Sequence, residues 1–142
     1  MYINHRSVTI EWGDCDPAGI VFFPRYFEMF DASTAHLFAA ALGYDKFTLR
    51  TRFGIVGFPV VESSARFLIP SRYGETVTIE SSISRFGRSS FGVLHRLLRG
   101  EALAIEATET RVWSAVDPND PDRIQGVPIP PDVIQALSAD NN

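Results

Sequence analysis

A single long helical pattern constrains the chain more than any other feature. Pro24 begins it, and proline suits the first turn of a helix. Gly43 follows it, and glycine is common just after a helix. Between them, apolar and small residues recur at steps of three and four, at Phe27, Phe30, Thr34, Leu37, Phe38 and Ala41. We predict one α-helix over 24–42. Its aromatic and small-residue content predicts that other elements cover it on most sides.

The rest of the chain alternates between apolar and polar residues, which predicts strands. The expected strands are 2–12, 59–69, 75–86, 89–99 and 101–116, with a further short strand over 124–129. The segments between them are a short helix or irregular segment at 45–52, a polar loop at 117–122 and a helical turn at 132–137. Because short turns join antiparallel strands, the order predicts an α+β fold with an antiparallel sheet against one helix. We expect one domain over 1–137 and a frayed tail over 138–142.

Composition excludes several classes of protein. The 142 residues carry a formal net charge of −4, which argues against a nucleic-acid partner. The sequence has no apolar run long enough to span a bilayer, and its N-terminus does not resemble a signal peptide, so we expect no membrane partner. The one cysteine excludes a disulfide framework and fits a reducing cytoplasm.

Potential chemistry concentrates just before the long helix, in the run Gly-Asp-Cys-Asp-Pro-Ala-Gly at 13–19. A helix start offers unpaired N–H groups and a partial positive charge, which can polarise a carbonyl oxygen. Pro24 has no N–H, so the donors are those of Phe23 and of residues after Pro24. Together with the apolar residues 20–23, a carboxylate here suits acyl transfer on an apolar acid derivative. Ordinary turn formation by Asp14 and Asp16 is the alternative.

Other catalytic arrangements lack support in the sequence. Paired aspartates suggest a metal, but the histidines are scattered (His5, His36 and His95), so no third ligand lies at a useful spacing. The two neighbouring aspartates disfavour a thiolate at Cys15, which we interpret as a small packing residue. The chain has no G-x-S-x-G nucleophile elbow. Because the histidines are scattered, we expect no metal site.

Two segments resemble one known family. The run G-D-C-D-P-A-G-I-V-F-F-P-R-Y-F at 13–27 resembles the opening motif of the 4-hydroxybenzoyl-CoA thioesterases of the hotdog superfamily. The run G-I-V-G-F-P-V-V at 54–61 is similar to the segment after the central helix in that family. The resemblance covers nearly the whole chain. It implies a hotdog fold, in which an antiparallel sheet wraps one helix, and hydrolysis of an acyl-CoA, most often an aryl-CoA such as 4-hydroxybenzoyl-CoA or benzoyl-CoA.

The resemblance also implies roles for individual residues. Asp16 corresponds to the family's catalytic carboxylate, acting as nucleophile on the thioester carbonyl or as general base on water. The backbone N–H of Phe23 corresponds to the donor that polarises the thioester oxygen. The family needs no cofactor, because the coenzyme A thiolate is already a good leaving group.

Acyl and coenzyme A contacts follow in the same way. Asp31 corresponds to a substrate-pocket aspartate, with a solvent-reaching or backbone-paired side chain as its alternative. Phe47 and Phe58 are expected as apolar walls, with core packing as their alternative. Phe58 stands where close relatives can carry a small hydroxyl residue, and a bulkier wall could favour an unsubstituted or differently substituted aryl group. The run at 85–91 corresponds to a segment that meets coenzyme A phosphates, which indicates Arg88, with Arg85 and Ser89 beside it. A solvated strand end is the alternative for this segment.

Partners and competing functions complete the expectations. Hotdog domains pair through their sheets, so the resemblance implies a homodimer or a homotetramer, and a sheet edge left open by one helix points the same way. Two other functions stay open. One is a thioesterase for short or medium aliphatic acyl-CoA or for acyl-carrier protein, and the other is a module that binds an acyl thioester without cleaving it.

Overall fold

The structure is a computed structural model that describes residues 1–141. Its helices are α1 (Pro24–Leu42), α2 (Lys46–Phe53) and α3 (Pro131–Ser138). Its strands are β1 (Asn4–Thr9), β2 (Val60–Phe67), β3 (Thr76–Phe86), β4 (Ser90–Arg99), β5 (Ala102–Val112), β6 (Ser114–Asp117) and β7 (Asp120–Gly126). This is the predicted α+β class with one long helix.

Helix α1 has the bounds that its flanking residues predict. Gly43 ends it with φ of 84°, a left-handed conformation that favours glycine, and donates its N–H to the Ala39 carbonyl at 2.9 Å. The N-terminal half of the helix packs through Phe30 into one apolar cluster, and the C-terminal half packs through Phe38 into a second one around Trp113. Full burial of one such side chain contributes about 1.5–3 kcal/mol, so these contacts hold α1 on the sheet.

The main sheet has five antiparallel strands in the order β1-β3-β4-β5-β2. Strands β3, β4 and β5 follow one another as expected. Strand β2 differs, because it crosses to the far edge and pairs with β5, with Ala65 opposite Ala107, and not with β3. The outer side of β2 is unpaired in the single chain, and seven of its eight residues are exposed.

Element boundaries differ from the predicted ones in the second half of the chain. The strand expected over 101–116 is interrupted at Trp113, whose buried ring fills the apolar cluster, so that β5 and β6 are separate. The predicted polar loop at 117–122 is a tight turn, and β7 already begins within it at Asp120. The segment at 45–52 does contain a helix, α2, which Asp45 caps by accepting a hydrogen bond from the Thr48 N–H at 2.7 Å.

The two chain ends lie side by side. Asn141 exchanges two hydrogen bonds with the backbone of Ile3, and the N-terminal ammonium of Met1 lies 2.5 Å from Asp140. Within the tail expected to fray, Asn142 lies outside the described residues. Every helix in the described chain is too short or too polar to cross a membrane.

Candidate active site

The loop before α1 is closed by its own backbone. The Phe22 N–H donates to the Asp14 carbonyl at 2.8 Å, and the Asp16 N–H donates to the Ile20 carbonyl at 2.9 Å. Gly19 completes the turn with φ of 78°, a conformation that a residue with a Cβ rarely adopts. The compact loop expected from the sequence is therefore present, and it holds Asp16 in a half-buried position.

The carboxylate of Asp16 is fixed through one oxygen. Its Oδ1 accepts a hydrogen bond from the Ala18 N–H at 2.9 Å. Within residues 1–141, no group donates a hydrogen bond to Oδ2. The geometry thus leaves one oxygen free to react with a substrate or with water.

The first turn of α1 leaves one backbone donor without an acceptor. Arg25 donates its N–H to the Phe22 carbonyl at 2.8 Å, Tyr26 donates to the Phe23 carbonyl at 3.1 Å, and Pro24 has no N–H. The Phe23 N–H meets no acceptor among the described residues. At the positive end of the helix dipole, this group can stabilise an oxygen that gains negative charge.

An apolar groove lies beside Phe23. It has a volume of about 180 Å³, and its walls are Ile20, Val21, Phe23, Tyr26 and the segment from Phe67 to Pro70. The rings of Phe23 and Phe67 meet edge to face, with centroids 6.2 Å apart. Asp16 is not part of these walls in the single chain, although the same loop continues directly into them at Ile20.

A second, charged recess lies further along α1. It has a volume of about 300 Å³ and is lined by Asp31, Lys46, Val56, Gly57, Phe58, Pro59, Val60, Arg111 and Ile124. Asp31 is 64% exposed and accepts a hydrogen bond from Arg111 Nη2 at 2.7 Å. Since β2 begins at this recess and ends at the apolar groove, both openings lie between α1 and the unpaired edge of the sheet.

Behind the recess is a buried polar network that sequence reasoning missed. Arg111 is 2% exposed and donates to Glu109, to the Phe58 carbonyl at 3.1 Å and to Asp31. Glu109 also accepts a hydrogen bond from Thr34 at 2.7 Å and pairs with His95. Burial by itself raises the pKa of Glu109, but the hydrogen bond and charge of His95, with smaller contributions from Thr34 and Arg111, hold that pKa below its usual value.

The network has a weak signal in the sequence. His95 is opposite Ser81 and Ala107 in the sheet, and Glu109 lies two positions further along β5 on the same face. His95 Nδ1 is 2.7 Å from the Ser81 hydroxyl, and its ring stacks on Phe30 with centroids 5.0 Å apart. Polar residues at the inward positions of three predicted strands mark such a network, but only once the strand pairing is known.

The two expected aromatic walls lie in different places. Phe58 is 2% exposed and forms the floor of the charged recess, stacked on Phe38 with centroids 4.5 Å apart. Phe47 is 74% exposed and faces a separate depression beside Arg50. The residue that α2 presents to the charged recess is Lys46, one position earlier.

The expected phosphate-binding residues lie at the end of β3, which carries Arg85, and in the turn to β4, which carries Arg88 and Ser89. Arg85 and Arg88 are both exposed, and Ser89 accepts the Trp113 N–H through its carbonyl at 2.7 Å. The loop that carries Asp16 contacts the chain just before β3, where Val21 donates to the Ser71 carbonyl at 3.0 Å. Strand β3 has 11 residues, so the turn is about 30 Å from that loop along the sheet. One chain therefore does not bring Asp16 and Arg88 together.

Neither a metal site nor an activated thiol is present in the described part of the chain. Residues 1–141 contain no group of three or more His, Cys, Asp or Glu side chains placed to hold a metal ion. Desolvation, followed by the charges of Asp14 and Asp16, raises the pKa of Cys15 above its usual value. The thiol is therefore protonated near neutral pH and is a poor nucleophile.

Comparison with known proteins places this geometry in one family. Residues 10–137 match the family model of the thioesterase-like superfamily. A 4-hydroxybenzoyl-CoA thioesterase from Pseudomonas sp. (strain CBS-3) is 38% identical, over 94% of this chain and 99% of that protein.

Solved structures agree with the sequence comparison. The three-dimensional structure of 4-hydroxybenzoyl-CoA thioesterase from Pseudomonas sp. strain CBS-3 superposes with a TM-score of 0.85 at 32% identity, over 94% of this chain and 98% of that one. A mutant 4-hydroxybenzoyl-CoA thioesterase complexed with 4-hydroxybenzoyl-CoA superposes with a TM-score of 0.87 at 32% identity, over 96% of this chain and 99% of that one. A gentisyl-coenzyme A thioesterase superposes with a TM-score of 0.78 at 29% identity, over 96% of this chain and 100% of that one. The prediction from the sequence motifs is confirmed: this chain has the hotdog fold and belongs to the thioesterase-like superfamily.

Proposed function

We propose that this protein is a thioesterase that hydrolyses an aryl-CoA to the free acid and coenzyme A. The observation that carries the proposal is the presence of two groups without partners in the segment that leads into α1. One is the Asp16 carboxylate with a free oxygen, and the other is the Phe23 N–H with no acceptor in the described chain. Both are the groups that attack on a thioester carbonyl requires. Two proteins similar to this chain are named as thioesterases of an aryl-CoA.

Two routes are compatible with these groups. In the covalent route, Asp16 attacks the carbonyl carbon, the C–S bond breaks, coenzyme A leaves as thiolate, and water then cleaves the mixed anhydride. In the other route, Asp16 takes a proton from water, that water attacks the carbonyl carbon, and the C–S bond then breaks to release coenzyme A as thiolate. The Phe23 N–H stabilises the oxyanion in both, by about 3 kcal/mol for one such donor. Single turnover in heavy-oxygen water separates them, because only the covalent route first leaves the label on Asp16.

The spacing along α1 supports an aromatic acyl group. Asp31 follows Phe23 by eight residues, which is about 12 Å along the helix axis. Two hydrogen bonds of about 2.9 Å, one from the Phe23 N–H and one at the distal end, leave about 6 Å for the acyl group. That length suits a benzoyl group with a hydroxyl opposite its carbonyl. Asp31 and the Phe58 floor of the charged recess would then contact the distal end of the ring.

A substrate panel tests the proposal. We expect kcat/KM for 4-hydroxybenzoyl-CoA and benzoyl-CoA to exceed that for butyryl-CoA by tenfold or more, with thiol release as the readout. Equal rates on benzoyl-CoA and butyryl-CoA would transfer the assignment to an aliphatic acyl-CoA or acyl-carrier-protein thioesterase. Tight binding of all three without thiol release would leave only a binding module.

A homodimer, or a homotetramer of two dimers, is part of the proposal. Its support is the unpaired edge of β2, with Val61 63% exposed and Phe67 46% exposed. The separation of about 30 Å between the Asp16 loop and the β3–β4 turn also favours a second copy, whose Arg85, Arg88 and Ser89 would meet the coenzyme A phosphates. We expect Val61→Lys to lower the mass measured by sedimentation, and Gln135→Lys, at an exposed position of α3, to leave it unchanged. A monomeric parent protein would refute this part.

The proposed setting is the cytoplasm. Coenzyme A thioesters are made and used there, and a single free thiol suits a reducing compartment. Fractionation of cells that produce the protein tests this, with recovery outside the cytoplasmic fraction as the contradicting result.

A further inference from the structure

Lys46 is a cation in the charged recess with no carboxylate partner. The other charged groups there already bind one another, since Arg111 donates to both Glu109 and Asp31. Within residues 1–141, no carboxylate oxygen lies within 4.0 Å of Lys46, and its side chain makes no hydrogen bond. Its ammonium instead lies over the Phe58 ring, 4.8 Å from the centroid.

The position of Lys46 is fixed by the protein and is not a chance surface contact. It is the first residue of α2, whose cap at Asp45 and buried Leu49 anchor that helix to the core. Its stem passes over Gly57, where an added Cβ would lie 3.8 Å from Lys46 Cε. A cation at a helix N-terminus is electrostatically unfavourable. The site therefore holds a half-buried donor that intramolecular pairing does not explain.

We propose that Lys46 is a specificity-determining residue that selects acyl groups with a hydroxyl at the distal end of the ring. This inference rests on the proposed aryl-CoA hydrolysis. A hydroxyl both donates and accepts, so it can donate to the Asp31 carboxylate and accept from the Lys46 ammonium at once. Arg111 holds the Asp31 carboxylate at the recess through a hydrogen bond to its Oδ1.

The same pair of charges disfavours other distal groups. An unsubstituted ring would cover Asp31 and Lys46 without offering either a hydrogen-bond partner, which is costly for charged groups. A distal carboxylate would accept from Lys46 but would face the negative charge of Asp31. Phe58 supplies no hydroxyl to the recess, and Lys46 supplies the donor in its place. The bulky Phe58 floor is thus compatible with selection for a hydroxylated substrate.

The test compares two substrates in three proteins: the parent, Lys46→Met and Arg50→Met. Methionine keeps the unbranched stem over Phe58 and removes the charge, and Arg50 is an exposed cation on the same helix outside the recess. For Lys46→Met we expect kcat/KM on 4-hydroxybenzoyl-CoA to fall about tenfold or more, mainly through KM, while kcat/KM on benzoyl-CoA stays the same or rises, because methionine needs no hydrogen-bond partner under the ring. Arg50→Met should match the parent on both substrates.

Binding provides a readout that does not depend on turnover. In the Asp16→Asn background, Lys46→Met should weaken binding of 4-hydroxybenzoyl-CoA by about tenfold and leave binding of benzoyl-CoA unchanged or stronger. An equal loss on both substrates, or no loss on either, overturns the role of Lys46 while aryl-CoA hydrolysis stands. A parent protein that hydrolyses neither aryl-CoA overturns the proposed function and this inference with it.

Discussion

Replacement of Glu109 by glutamine should strongly destabilise the protein. The side chain is 4% exposed and accepts hydrogen bonds from His95, Thr34 and Arg111. Glutamine keeps the shape but removes the charge that balances buried Arg111. Loss of one partner from a buried ion pair costs about 3–5 kcal/mol. Arg111 still pairs with Asp31 in this variant, although the Asp31 side chain is 64% exposed. We therefore expect the lower end of this range of destabilisation, about 3 kcal/mol.

Urea unfolding followed by circular dichroism measures this effect. For a chain of this length, about 3 kcal/mol corresponds to a fall in Tm of about 12 °C. Glu106→Gln is the matched control, because Glu106 lies on the same strand and makes no hydrogen bond through its side chain in the described structure. It should change the free energy of unfolding by less than about 0.5 kcal/mol.

A double variant separates charge imbalance from simple loss of packing. If Glu109 mainly balances Arg111, then Glu109→Gln combined with Arg111→Met should cost less than the sum of the two single variants, by about 1–3 kcal/mol. A cost below about 1 kcal/mol for Glu109→Gln alone, or strict additivity with Arg111→Met, would refute the assignment of this network as a coupled unit.

Two further predictions concern titration and thiol reactivity. Because the folded-state pKa of Glu109 lies below its usual value of 4.5, its contribution to stability is complete above pH 4.5 and is lost as the pH falls through the folded value. Urea titrations at several pH values should therefore show that the free energy of unfolding falls less at acid pH in Glu109→Gln than in the parent. An equal fall in the two proteins would contradict this. Because its pKa is raised, Cys15 should react with iodoacetamide at pH 8 more slowly than a cysteine peptide, and Cys15→Ala should keep turnover within twofold. Faster alkylation than the peptide would contradict the raised pKa.

Local signals explain why α1 and its preceding loop could be predicted from the sequence. Pro24 and Gly43 punctuate the helix through backbone geometry alone, and the glycines of the loop act in the same way. These preferences do not depend on distant parts of the chain, so the bounds of α1 follow directly. Asp16 and Phe23 lie within the same short stretch, and the resemblance of that stretch to a known family is what singled out both candidate catalytic groups.

Long-range pairing explains what sequence reasoning missed. The crossing of β2 to the edge beside β5 depends on tertiary packing, and no pattern within β2 specifies its neighbour. The polar network has the same cause, since His95 and Glu109 meet only through the register of β4 and β5.

Helix α2 shows a different limit. An aromatic residue was expected to face the pocket, but α2 is short and buries only Leu49 among its eight residues. Its apolar periodicity is therefore too weak to set which face turns inward. With Leu49 packed inward, α2 presents Lys46 to the recess and leaves Phe47 exposed.

The most direct test of the central claim is the rate of one turnover in Asp16→Asn. Asparagine can still accept the Ala18 N–H through Oδ1, so the loop should keep its shape. Asp14→Asn is the matched control, because Asp14 accepts the Glu11 N–H through Oδ2 and the amide oxygen of asparagine can accept the same bond. We expect Asp16→Asn to cleave 4-hydroxybenzoyl-CoA about 10³-fold more slowly than the parent, with its Kd within threefold and Asp14→Asn near the parent rate. Cleavage by Asp16→Asn within tenfold of the parent rate would contradict the account.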